Sequence, residues 1–97
     1  MVETPEEEAV RVVAAEPSVR RVILFGSRAR GDAARASDID IAVDAPGADS
    51  RVWWRLMGAL EERRSLVSVD LVFLHQAGSD LRNQIQREGR VMFERRP

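Results

Sequence analysis

The sequence predicts an α/β fold in which a small mixed β-sheet is backed by helices. Short apolar runs typical of strands alternate along the chain with segments of helical periodicity. The first two strands are joined by a glycine-containing turn with a single short helix, for which we expect an antiparallel return, whereas the next two are separated by a longer helix that can serve as a parallel crossover. The length of 97 residues fits one domain spanning residues 1–97.

The first helix has a clear start signal. Thr4 is a preferred capping residue, Pro5 suits the first helical position, and Glu7 stands where a capping box requires an acid. We expect this helix to run to about Ala15. The acids 6–8 are interpreted as solvated residues whose charge suits a helix N-terminus.

A buried strand and one helical turn follow. The segment Val19–Phe25 ends in four consecutive apolar residues, a pattern typical of a strand covered on both faces. Gly26 ends this strand. The segment Ser27–Arg30 begins with a capping residue type and stops at Gly31, so we expect a single helical turn there.

The second strand carries acids on one face. The segment Asp38–Asp44 alternates acidic or small residues with large apolar ones, which predicts a strand with one buried face. Asp38 and Asp40 therefore point the same way. Ser50 is the expected cap of a helix over Arg51–Arg64, whose apolar residues recur at helical spacing.

The remaining elements are a strand, a helix and a short apolar segment. Val67–Leu74 reads as the third strand. Ser79 is the expected cap of a helix from Asp80 to about Glu88. Gly89 should end that helix before the apolar residues 91–93.

Composition excludes several classes of site. The chain has no cysteine and a single histidine, His75, so it can form neither a disulfide nor a cysteine or histidine zinc site. A metal would have to be held by oxygen ligands. We assign no role to His75, which follows a strand and is interpreted as a surface residue.

Charge and hydropathy indicate a globular protein without membrane segments. The formal net charge is −1, which argues against nucleic acid as a primary partner even though arginine supplies all 15 basic residues. No apolar stretch approaches the roughly 20 residues that span a bilayer. The acidic N-terminus is unlike a secretory signal, so we expect a cytoplasmic protein.

The most informative pattern couples a glycine turn to a set of acids. The dipeptide Gly26-Ser27 is followed, after ten residues, by Asp38 and Asp40. Alternate residues on a strand lie about 6.5–7 Å apart, and paired metals in phosphoryl-transfer sites lie about 3.5–4 Å apart, so two such carboxylates can bridge a metal pair. Asp70 lies in the apolar third strand, where an unpaired charge is costly unless a cation neutralises it.

Asp70 could complete a three-carboxylate metal site. If its strand lies beside the second strand, it can bind one metal and accept a proton from an attacking hydroxyl. Gly26 allows the backbone to approach phosphates, and Ser27 can donate hydrogen bonds to them. Arg28 is the nearest candidate for a cationic phosphate contact. The alternatives are a simple strand-ending turn and a surface ion pair among the neighbouring arginines and Asp32.

These residues match a known family. The segments 26–32 and 37–40, with Asp70 and the closing residues 87–89, resemble the minimal nucleotidyltransferase (MNT) domains of the DNA polymerase β superfamily. The resemblance extends from about Val19 to Glu94. It implies a nucleotidyltransferase fold like the palm of polymerase β.

The resemblance also implies an activity and a set of site residues. Members transfer a nucleoside monophosphate from a nucleoside triphosphate, usually ATP, to an acceptor hydroxyl with the help of two Mg²⁺ ions, releasing pyrophosphate. By this match Asp38 and Asp40 would hold both ions and Asp70 the catalytic one. Gly26 and Ser27 would bind the triphosphate, and Arg28 and Arg30 are weaker matches to the same role.

Many stand-alone MNT domains are antitoxins. The resemblance therefore implies a HEPN-domain toxin as partner, neutralised by adenylylation of a hydroxyl. A non-catalytic module that neutralises its partner by occlusion is the alternative, and transfer to a small molecule or an RNA end is a third possibility.

The adjacent Trp53 and Trp54 face different directions on a helix, so one of them should lie outside the core and be exposed. That tryptophan is a candidate partner contact, and the alternative is that a neighbouring helix shelters it.

Overall fold

The computed structural model describes residues 2–32 and 37–96. Helices and strands alternate in the order that the sequence predicts. The elements are α1 (Pro5–Ala14), β1 (Arg21–Phe25), α2 (Ser27–Arg30), β2 (Ile39–Asp44), α3 (Ser50–Glu61), β3 (Val69–Phe73), a 3₁₀ turn (Leu74–Gln76), α4 (Ser79–Glu88) and β4 (Arg90–Glu94).

The four strands form one mixed sheet in the order β3-β2-β1-β4. β1 lies antiparallel to both β2 and β4, whereas β2 and β3 are parallel. The prediction of a mixed sheet is thus confirmed, including the antiparallel return from β1 to β2 and the parallel crossover through α3. Within the described residues, no helix is long and apolar enough to cross a membrane.

The sheet has an apolar layer on each face. The larger layer packs α1 and α3 against one face, with Ile39, Ile41 and Leu56 almost completely buried. The smaller layer packs α4 against the other face through Ile85. Alternation along β1 explains this division, since its residues contribute in turn to the two layers. β1 is therefore covered on both faces, as its continuous apolar run predicts.

The start of α1 confirms the predicted capping box. The Thr4 side chain accepts a hydrogen bond from the Glu7 amide at 3.1 Å, and the Glu7 carboxylate accepts one from the Thr4 amide at 2.8 Å. Glu8, by contrast, is buried, with 6% of its surface exposed. The prediction of a solvated Glu8 was wrong, because its carboxylate accepts from the amides of Arg64 and Ser65 at 2.8 and 3.0 Å.

Three helix caps differ from the prediction. Asp49 rather than Ser50 caps α3, because its carboxylate accepts from two amides at the start of that helix. Gly78 rather than Ser79 stands at the cap of α4, and Gly26 rather than Ser27 at that of α2, neither with a side-chain hydrogen bond. The predicted stops at Gly31 and Gly89 are confirmed.

α3 ends at Glu61, earlier than the predicted Arg64. The Arg63 guanidinium donates to the carbonyls of Leu60 and Val67 at 2.7 and 2.8 Å, which satisfies backbone groups in the turn after the helix. Together with the contacts made by Glu8, these bonds stabilise a turn where helical pattern alone predicts continued helix.

Candidate active site

Two of the three predicted acids meet on neighbouring strands. Asp40 of β2 and Asp70 of β3 are register partners in the parallel pair, so their side chains point to the same face of the sheet. That face is the one covered farther along by α4, since Ala42 of β2 packs in the α4 layer. Asp38 immediately precedes β2, two residues before Asp40, and so lies at the same end of the strands.

The carboxylates interact electrostatically. The pKa of Asp40 is raised, first by burial and then by the negative charges of Asp70, Asp38 and Glu88, with Arg30 opposing them. Asp38 and Asp70 are exposed, whereas Asp40 is half-buried. Repulsion among acids that share a site is relieved when a cation binds between them.

The chemistry of these donors fits an oxygen-ligated divalent cation. Three carboxylates at one edge of a sheet match the preference of Mg²⁺ for oxygen ligands. Asp38, Asp40 and Asp70 are the residues that would hold it. In the described part of the chain, no three acidic or histidine side chains stand positioned to hold an ion as they are. The three carboxylates as they stand therefore do not form a coordination shell.

Gly26 lies directly against this set of acids. β1 runs antiparallel to β2 with Phe25 opposite Asp40, so the residue after Phe25 approaches the Asp40 carboxylate. The φ angle of Gly26 is +76°, and a Cβ built there would overlap Oδ2 of Asp40 and lie 3.2 Å from its Cγ. Both the backbone conformation and the contact require glycine at this position.

Ser27 and Arg28 begin the helical turn after Gly26. The Ser27 carbonyl accepts from the Gly31 and Asp32 amides, which closes α2. The Arg28 guanidinium forms an ion pair with Glu6 of α1 and donates to the Ser37 carbonyl at 2.8 Å. Arg28 thus connects α1 to the segment that leads into Asp38.

Glu88 is a further member of the site: it belongs to the closing segment 87–89 of the family resemblance, which by itself predicts no role for it. Its carboxylate accepts from the Gly26 amide at 3.1 Å and pairs with the Arg30 guanidinium at 2.8 Å. Leu81 and Ile85, which pack on the sheet, lie seven and three residues before Glu88, on the same side of α4. This helical spacing is the sequence signal by which Glu88 could have been found.

Trp53, Phe73 and His75 form an aromatic group that joins α3, β3 and the 3₁₀ turn. Phe73 forms an edge-to-face contact with Trp53, with ring centroids 5.6 Å apart, and stacks on His75 at 5.4 Å. Trp54 is 70% exposed, which confirms that one of the two adjacent tryptophans faces solvent.

The mixed four-stranded sheet with its helices matches the fold of the nucleotidyltransferases. The sequence profile described as "Polymerase beta, Nucleotidyltransferase" matches residues 7–97. The chain belongs to this family. No curated protein sequence matches it significantly.

Solved structures similar to this chain include toxin–antitoxin complexes. A chain of a toxin–antitoxin crystal structure with AMP-PNP is 32% identical, with a TM-score of 0.76; the match covers 96% of this chain and 76% of that one. A chain in the complex of tri-AMPylated Shewanella oneidensis HEPN toxin with MNT antitoxin is 30% identical, with a TM-score of 0.67, and the match covers 93% and 70% of the two chains. A chain of the MntA-HepT toxin–antitoxin structure is 27% identical, with a TM-score of 0.62 and the same coverage of 93% and 70%.

Proposed function

We propose that this protein is a Mg²⁺-dependent nucleotidyltransferase that transfers AMP from ATP to a hydroxyl of a partner protein. The partner in this proposal is a HEPN-type toxin, which makes the chain an antitoxin. The main support is the register pairing of Asp40 with Asp70 beside Gly26. Similarity to chains from a complex with AMP-PNP and from a complex with an AMPylated HEPN toxin supports the choice of donor and partner.

The proposed reaction is a single displacement at phosphorus. The acceptor hydroxyl oxygen forms a bond to the α-phosphorus of ATP, and the bond from that phosphorus to the pyrophosphate oxygen breaks. The hydroxyl proton passes to the Asp70 carboxylate, and pyrophosphate leaves with the electron pair of the broken bond. Bound Mg²⁺ would neutralise the charge of the triphosphate and lower the pKa of the acceptor hydroxyl.

In this proposal Asp38, Asp40 and Asp70 hold the metal ions, and Gly26 and Ser27 form the triphosphate site, Gly26 through the close approach of its backbone, since its amide donates to Glu88. Ser27 donates no hydrogen bond to any described residue, so its hydroxyl and amide are available to phosphate oxygens. The absence of a Cβ at Gly26 brings the turn close to Asp40, so metal and phosphate would be bound side by side. Arg28 is retained as a candidate phosphate contact that would have to exchange its pairing with Glu6.

The test is transfer of label from ATP labelled at the α-phosphate. The protein, Mg²⁺ and labelled ATP are incubated in parallel with a HEPN-type toxin, an RNA and an aminoglycoside. We expect label in the toxin, together with a mass increase of one or more AMP units. Label found only in the RNA or only in the aminoglycoside would identify that molecule as the acceptor instead of the toxin. Label in none of the three would reject the enzymatic proposal.

Substitutions of the acids separate catalysis from occlusion. Asp40→Asn and Asp70→Asn should abolish transfer in folded protein, and Asp80→Asn, at the exposed start of α4, is the control that should retain it. If the two site variants still neutralise the toxin, the chain acts as a non-catalytic binding module. If they lose neutralisation while still binding the toxin, AMP transfer is the means of neutralisation.

A further inference from the structure

Glu88 connects the end of α4 to the turn that follows β1. Its side chain is only 19% exposed, and its carboxylate makes three hydrogen bonds. It accepts from the Gly26 amide at 3.1 Å, from Nη1 of Arg30 at 2.8 Å and from Nε2 of Gln84 at 3.2 Å. Two of these donors belong to the turn that lies against Asp40.

The backbone position of Glu88 is fixed by the direct passage from α4 into β4. Only Gly89 separates the two elements, and a Cβ on Gly89 would overlap the Ile85 carbonyl and lie 2.7 Å from Cγ2 of Ile23. Arg90 then pairs with Leu24 of β1. The same strand therefore carries Gly26 at its end and determines where Glu88 is placed.

We infer that Glu88 is a positioning residue that holds the Gly26 turn and the Arg30 guanidinium in the geometry required to receive the triphosphate. This inference rests on the proposed function. Without Glu88, the Gly26 amide would lose its protein acceptor and Arg30 would keep only its pairing with Asp32, at 3.1 Å.

The negative charge of Glu88 contributes to this role. Hydrogen bonds from Gln84, Arg30 and the Gly26 amide hold the pKa of Glu88 below its ordinary value, against the effect of burial. The carboxylate is therefore ionised at neutral pH and makes charge-assisted hydrogen bonds to both parts of the turn. Ordering a long arginine side chain before a ligand arrives lowers the entropy cost of binding.

The first measurement uses the free protein. NMR relaxation of the Arg30 Nη groups, of which Nη1 donates to Glu88, and hydrogen exchange of the Gly26 amide report the order of the turn. Glu88→Ala should make both more mobile, while Glu88→Gln, which keeps an acceptor oxygen but loses the charge, should affect mainly Arg30. Gln86→Ala, at an exposed position of the same helix, is the matched control. Unchanged mobility in folded Glu88→Ala would overturn the inference.

The second measurement is the affinity for a non-hydrolysable ATP analogue in the presence of Mg²⁺, determined by calorimetry. Glu88→Ala should weaken binding by about tenfold or more, the usual range when a residue that orients a site is removed, and Glu88→Gln should recover part of the loss. Equal affinity of wild type and Glu88→Ala would overturn the inference alone. Absence of binding by the wild type would overturn the proposed function and with it the role of Glu88.

Discussion

At the scale of single residues, Gly26 links the end of β1 to the acids of β2. Its positive φ is a conformation in which other residues are strained, and its neighbour in space is a side chain that the proposal assigns to the metal site. The glycine of the Gly-Ser pair thus contributes both a backbone conformation and the space for Asp40.

Gly47 is a reference glycine against which the demands on Gly26 can be measured. Gly47 has a similar φ of +80°, but no atom lies within 4 Å of the position that a Cβ would occupy there. We expect Gly47→Ala to lower the free energy of unfolding by about 1–2 kcal/mol, the cost of a left-handed conformation. Gly26→Ala should lower it by about 2–4 kcal/mol, because its ψ of −159° lies in a region that essentially only glycine populates and because the added Cβ crowds Asp40. Urea denaturation measures both, and equal losses would mean that neither the Gly26 backbone nor its contact with Asp40 requires glycine.

Glu8 should make the stability of the fold depend on pH. Hydrogen bonds from the Arg64 and Ser65 amides lower its pKa from the ordinary 4.5. A carboxylate with a lowered native pKa stabilises the fold above its unfolded pKa, and this contribution is lost as the pH falls through the native value. We expect Glu8→Gln to be less stable than wild type at about pH 7, with a difference that shrinks below about pH 4.5.

The measurement is urea denaturation of both proteins across this range. Glu61→Gln, at an exposed position near the end of α3, is the control and should follow wild type at every pH. A constant difference between Glu8→Gln and wild type from neutral to acidic pH would show that the two amide contacts do not depend on the charge of Glu8.

At the scale of elements, the junction of α4 and β4 is the most constrained connection at the site. The φ angle of Gly89 is −68°, a value that any residue can adopt, so the backbone conformation does not require glycine there. The requirement comes from packing, because α4 and β1 leave no room for a side chain. A side chain at position 89 would therefore displace α4 or β1, and the orientation of β4 relative to α4 depends on the absence of a Cβ at Gly89.

Gly89→Ala should destabilise the fold by about 1–3 kcal/mol, the usual cost of overpacking. Gly58→Ala, within α3 and with nothing within 4 Å of the added Cβ, should instead stabilise it by about 0.5–1 kcal/mol, as expected for glycine in a helix. Thermal and urea denaturation of the two variants provide the comparison. A stabilising Gly89→Ala would mean that the junction relaxes easily.

The accuracy of the sequence prediction depends on the range of the interactions involved. The start of α1 was predicted correctly, because its capping box involves residues three apart. The end of α3 was not, because it depends on Glu8, which is distant in sequence. The pairing of Asp40 with Asp70 could be expected once the intervening helix indicated a parallel crossover. The contact of Glu88 with Gly26 could not, since it depends on the register of β4 against β1.

At the scale of the whole molecule, the two faces of the sheet have different surroundings. α1 and α3 cover one face, and α4 covers part of the other, leaving the edge with Asp40 and Asp70 accessible. The outer side of α3 carries Trp54, which is 70% exposed, while Trp53 packs against Phe73. The acids and the exposed tryptophan therefore belong to separate surfaces.

Fluorescence distinguishes the two tryptophans. In Trp53→Phe the remaining Trp54 should emit at longer wavelength and be strongly quenched by acrylamide, because water and quencher reach it. In Trp54→Phe the remaining Trp53 should emit at shorter wavelength and be better protected. Trp54→Phe should also change the free energy of unfolding by no more than about 0.5 kcal/mol, as is usual for surface positions. Equal quenching of the two variants would contradict this arrangement.

Every ion pair between described residues joins an arginine to an aspartate or a glutamate. The chain also contains no lysine, tyrosine or cysteine. These three are the side chains whose charge ordinarily changes in alkaline buffer. A change of transfer rate with rising alkalinity would then report ionisation of the acceptor, the nucleotide, metal-bound water or the α-amino group rather than of such a side chain.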